Sequence, residues 1–236
     1  YLNVFQKILT SKGEKASAVN FYTYLGLSIV GIFFIDKIAF SQAIALNILI
    51  MGLLGALGNY FIIKALSIGE LSTLAPINSY KPIVALIIGI FYLKEIPSAA
   101  AIAGIVMIVC ETFFVLDRSN SANKKAVFYR ILALIFSGSE AIFIKKVILL
   151  SDITSAFFLW SFSGLFFSTL FVIPFKNNLK ISSYKHQLFL ILSVGIMQYA
   201  TNYVFSKMNV SYALALFQLS TLLSVFLGVN IFHETG

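Results

Sequence analysis

From residue 16 to residue 232 the chain alternates long apolar stretches with short polar ones. Five windows hold no charged residue and are at least membrane-length: 16–35, 38–63, 153–175, 187–206 and 208–232. Two more carry one charge each, 71–93 with Lys81 and 97–116 with Glu111. An eighth, 126–149, contains Glu140, with Arg130, Lys145 and Lys146 towards its ends. A helix rising about 1.5 Å per residue needs about 20 residues to cross roughly 30 Å of hydrocarbon, so each window predicts a transmembrane helix. An open sheet would leave edge amides unsatisfied in lipid. The uninterrupted runs also lack the short alternation of barrel strands. The pattern therefore predicts an all-α, polytopic membrane protein, and its short connections leave no room for a soluble domain.

Composition sharpens this picture. The chain is 59% hydrophobic and 11% charged, with a mean hydropathy of +0.94. Soluble chains carry about 25% charged residues. A disordered chain, a disulfide scaffold and a water-soluble enzyme are excluded. Cys110 is the single cysteine, so no internal disulfide can form. Lys plus Arg 17 against Asp plus Glu 9 gives +8, an excess expected beside anionic lipid headgroups. No motif points to nucleic acid.

The sequence also repeats itself. At an offset of 138, Phe5/Phe143, Lys7/Lys145, Ser17/Ser155, Ala18/Ala156, Gly26/Gly164 and Leu27/Leu165 coincide. At 143, Gly52/Gly195, Asn59/Asn202, Tyr60/Tyr203 and Lys64/Lys207 coincide, and at 139 Gly89/Gly228 and Glu95/Glu234. The expected units are residues 1–118 and 126–236. Each would hold five helices, with part of the first and all of the tenth falling outside this sequence. Eight full spans and part of a ninth are expected here. Because five is odd, the second unit must be inverted, an arrangement common in secondary transporters.

Residues 69–98, GELSTLAPINSYKPIVALIIGIFYLKEIPS, resemble the fourth helix of the EamA-like branch of the drug/metabolite transporter superfamily. A proline-containing helix runs there into a Gly-rich apolar stretch and a Glu; Gly89 and Glu95 match, and Gly228 and Glu234 stand in register. The second unit has Ala215 and Thr221 where the first has Pro76 and Pro82. The resemblance implies a ten-helix transporter of small organic metabolites, multi-pass in a cell (inner) membrane.

Charges at mid-membrane depth are costly and mark functional sites, which singles out Lys81 and Glu140. They serve either as a structural ion pair or as a solute or ion site. Lys81 would hold an anionic group, and Glu140 a cationic group or a coupling proton. Pro76 and Pro82 bracket Asn78 and Tyr80; they either kink the helix or free carbonyls towards a cavity. Asn59, Tyr60, Asn202 and Tyr203 are repeat mates whose polar groups need partners, from helix neighbours or from substrate. Trp160 is the one aromatic of its run assigned to a cavity. Lys64 and Lys207 are expected to snorkel to the interface. Gly52, Gly55 and Gly58 are expected to admit close helix packing.

No cofactor, metal-ligand cluster or phosphate loop is expected, and the histidines, His186 and His233, fall at span ends, against an intramembrane enzyme. The function expected is a secondary transporter working by alternating access, its partners a small solute, the lipid bilayer and a coupling ion, proton or sodium. A second copy of the chain, as a homodimer, is a further partner to test. The competing function is a flippase or exporter of an amphiphilic or lipid-linked substrate. On orientation, the basic residues favour loops after odd-numbered helices as cytoplasmic, whereas the resemblance implies the reverse.

Overall fold

The computed structural model describes residues 2–33, 41–99, 102–107, 110, 123–173, 179 and 181–232. Described residues are helical with no strand. The helices are α1 (Leu2–Ser11), α2 (Ala16–Ile32), α3 (Gln42–Ile68), α4 (Leu71–Leu74), α5 (Lys81–Tyr92), α6 (Lys124–Leu150), α7 (Ile153–Val172), α8 (Tyr184–Lys207), α9 (Val210–Phe217) and α10 (Leu219–Phe232). A short helical piece lies at 102–107. Glu111, Glu234 and most of the predicted span 97–116 lie outside the described residues.

Five described stretches are long and apolar enough to cross a membrane: Gln42–Ile68, Leu71–Tyr92, Lys124–Leu150, Ile153–Val172 and Tyr184–Lys207. Polar caps start several of them. Ser41 accepts from the Ile44 amide at 3.2 Å. Asn123 accepts from Lys125 at 3.0 Å and Ala126 at 3.4 Å, and Asp152 from Thr154 at 2.8 Å and Ser155 at 2.9 Å. Such side chains satisfy the orphan amides of a helix's first turn.

Two predicted spans are interrupted. Span 71–93 is α4, a 3₁₀ turn over Pro76–Tyr80, then α5. Proline lacks an N–H and clashes with the preceding turn; here the Asn78 amide bonds Ala75, three residues back, at 3.0 Å. Span 208–232 breaks at Gln218, between α9 and α10, without any proline.

The packing is inside-out relative to a soluble protein. Phe91, Ile96 and Ile196 are 82%, 84% and 72% exposed, whereas Gln6, Asn20, Arg130, Glu140, Gln187 and Asn202 are buried. Lipid accepts the apolar exterior, so polar groups collect where they find partners.

α3 packs on α6 and α7, and α1 and α2 on α8. The helix α2 also packs on α7, α4 on α10, and α5 on α9 and α6. The interrupted helices therefore run antiparallel and side by side. Glycines set the closest seam: a Cβ on Gly52 would lie 2.5 Å from the Ser163 Cβ, and one on Gly58 3.2 Å from the Ser137 amide nitrogen. The expected tight helix contact is present.

Candidate functional site

A cavity of about 820 Å³ opens where the helix interruptions meet. In its wall Asn78, in the 3₁₀ turn, donates from Nδ2 to Gln218 Oε1 at 3.3 Å. The wall draws on α1, α2, α3, α5, α6, α7, α8, α9 and α10 as well as both interruptions. Of the residues expected to carry function, Lys81, Glu140, Asn59, Asn78 and Trp160 line it.

Glu140 sits near the middle of α6, deep in the wall. Trp160 Nε1 donates to its Oε1 at 2.6 Å. The Tyr24 ring packs on Trp160 with centroids 5.2 Å apart, and its hydroxyl lies 3.2 Å from where a Cβ on Gly55 would be. That same Cβ would strike Glu140 Oε1, so only glycine at 55 leaves room for the carboxylate. Lys81 interacts electrostatically with Glu140 and Arg130. Neither Lys81 nor Arg130 forms a direct ion pair among the described residues.

Asn59 has a structural job as well. It accepts from Gln6 Nε2 at 2.9 Å and donates to Asn20 Oδ1 at 2.5 Å, tying α3 to α1 and α2. Its repeat mate Asn202 is fully buried away from the cavity, against Gln198 and the start of α7 in either amide orientation. The structure also sets Tyr60, Tyr80 and Tyr203 apart from the cavity. Lys64 donates to Tyr60 at 3.1 Å and stands over its ring and that of Tyr129. Tyr80 packs on the apolar cluster around Leu66, Leu71 and Leu74. Tyr203 is 55% exposed, with Lys207 over its ring at 5.8 Å. A phenol beside a lysine suits the headgroup region.

Two basic residues towards the ends of the predicted span 126–149, Arg130 and Lys145, sit inside the protein. Arg130 is 2% exposed and lines the cavity, and its Nε donates to the Leu74 carbonyl at 3.1 Å. Its position is one heptad before Ser137, also in the wall, which puts both on one helix face. Tyr24, Gln198 and Gln218 line the cavity too and escaped the sequence reading. Lys145 pairs with Glu95 at 2.5 Å and donates to the Met208 carbonyl at 2.8 Å. Glu95 reaches it because Lys94 takes a left-handed backbone (φ 57°) and the Glu95 amide turns back to the Gly89 carbonyl at 3.2 Å. Glu95 Oε2 also accepts from the Val210 amide at 3.0 Å, capping α9. This gives the Gly89 and Glu95 of the motif a structural task.

Residues 2–116, just under half of the chain, match the model of the EamA-like transporter family. These residues are similar to that family. The match is consistent with the drug/metabolite transporter superfamily. It points to a multi-pass membrane transporter of small molecules rather than to an enzyme. No curated protein matches the chain significantly. No cluster of metal-binding side chains occurs among the described residues.

Proposed function

We propose that the protein is a secondary transporter that moves a small organic solute by alternating access, holding it in the central cavity. The observation that carries this reading is the cavity itself. It lies at the Asn78–Gln218 contact between two interrupted helices, is lined from both halves, and contains Lys81 and Glu140. Interrupted helices around a midplane site suit solute binding because their free backbone groups and charges can replace water.

An inverted repeat supports the alternating part. Under exchange of the halves, α4 with α10 becomes α9 with α5, α1 with α8 becomes α6 with α3, and α2 with α8 becomes α7 with α3; every one of these packings occurs. The repeat-mate lysines behave alike. Lys7 donates to the Gly69 carbonyl and Lys145 to that of Met208, at equivalent turns. A molecule built from two like halves can adopt two like states, each open to one side.

The test is gradient-driven uptake into ATP-free proteoliposomes. Uptake driven by an imposed proton, sodium or solute gradient is expected, and Glu140→Gln should alter its pH dependence. Strict dependence on ATP would overturn the proposal.

A further inference from the structure

The charges inside the cavity do not balance. Among the described residues its wall holds Arg130 and Lys81 against one carboxylate, Glu140. Trp160 already takes Glu140 Oε1 at 2.6 Å, and neither cation forms a direct ion pair among the described residues. Arg130 is 2% exposed; its Nε is spent on Leu74, while its Nη1 has no hydrogen-bond partner. An uncompensated buried cation is costly, and a buried donor without an acceptor adds to that cost. A guanidinium presents a planar fork that matches an oxyanion better than it matches any neutral group.

We infer that the cavity selects small organic oxyanions, with a carboxylate or phosphate held on the Arg130 guanidinium and Lys81 supplying the second positive charge. This inference rests on the transporter reading and names its substrate class. The remainder of the solute extends towards Trp160 and Tyr24, whose rings, 5.2 Å apart and tilted by 59°, offer an apolar edge. Glu140, on the same side, disfavours a second anionic group there.

Trp160 is the chain's one tryptophan and stands in the cavity wall, so its fluorescence reports occupancy directly. Purified protein in detergent is titrated with phenylacetate, phenyl phosphate, phenylacetamide and phenethylamine, read by Trp160 fluorescence and by melting temperature. At least one oxyanion is expected to bind about tenfold or more tightly than the amide and the amine, a difference of about 1.4 kcal/mol. The two oxyanions separate carboxylate from phosphate. Arg130→Gln should abolish the preference, Arg130→Lys should restore part of it, and Glu140→Gln should tighten oxyanion binding. The inference is overturned if neither oxyanion binds, if the amide or amine binds as well, or if folded Arg130→Gln keeps the wild-type preference. Should Arg130→Gln fail to fold, Glu140→Gln decides, and an unchanged or weaker oxyanion affinity overturns the idea. Gradient-driven uptake of only neutral or cationic solutes would defeat this inference and leave the transporter reading standing; no uptake of any solute would defeat that reading itself.

Discussion

Replacing Gly52 by alanine puts one methyl group into the seam between α3 and α7. The added carbon would stand 2.5 Å from Ser163 Cβ, 2.6 Å from its Oγ and 2.8 Å from its carbonyl carbon. Carbon atoms sit comfortably at about 3.5–4.0 Å, so the helices must part locally by roughly 1 Å. The obstacle includes backbone, which cannot rotate away. Overpacking of this kind costs about 1–3 kcal/mol. Gly→Ala within a helix also gains about 1 kcal/mol of propensity, which blurs a comparison with wild type. Gly89→Ala removes that ambiguity. Its new carbon would meet only the end of Ile142 at 3.4 Å and Glu95 Oε2 at 3.7 Å, ordinary contacts. The gap between the two variants should therefore isolate the clash, at about 1–3 kcal/mol in favour of Gly89→Ala. At roughly 2–4 °C per kcal/mol for a chain of this size, that is roughly 2–12 °C in melting temperature. Thermal unfolding in detergent, followed by Trp160 fluorescence, gives the comparison. Equal melting temperatures for the two variants would refute the claim that Gly52 is required by close approach.

Lys145→Met strands Glu95 in a site where both partners are about nine-tenths buried. It should cost about 3–5 kcal/mol, most of it recovered when Glu95→Leu is added; a double variant as unstable as the single one would count against the ion pair. Burial alone would raise the Asp152 carboxyl, but hydrogen bonds from Ser155 and Thr154 outweigh it and hold the group below the usual carboxylate range. A depressed folded value means the cap stabilises above about pH 4 and is lost as acid carries the pH down through that value. Asp152→Ala should thus lower stability by about 1 kcal/mol at neutral pH, with the gap to wild type closing in acid. Lys94→Gly should stabilise by roughly 1 kcal/mol, since only glycine takes the left-handed backbone without penalty; a lower melting temperature would refute this.

Runs of apolar residues located the helices because length and hydropathy are properties of sequence alone. The interruption at Pro76–Tyr80 was legible for a similar reason, since Pro76 and Pro82 forbid a continuous ladder. The second interruption was not. At Gln218 the break coincides with contacts rather than with a proline: Gln218 accepts from Asn78 and donates to the Leu214 carbonyl at 2.8 Å. The inward turn of Arg130 was not legible for a related reason. A basic residue near the end of an apolar window is expected to reach for the headgroups, yet the Leu74 carbonyl at the end of α4 draws this one inward. Asn202 repeats Asn59 without sharing its place in the cavity wall, and neither Tyr60 nor Tyr203 lines it. Repeat symmetry carries over a helix's position, but each neighbour's side chains decide which way a polar group finds its partner.

In the alternating-access cycle proposed above, the paired, interrupted helices would work as a seesaw. They touch at Asn78 and Gln218, and beyond that contact α4 rests on α10 at one end and α5 on α9 at the other. Two antiparallel rods held at the middle cannot spread at both ends without losing the centre, so a tilt that parts one pair of ends presses the other together. The arm formed by α5 has 12 residues, about 18 Å. A tilt of about 15° would swing its tip by roughly 5 Å, wide enough to pass a slender solute lengthwise.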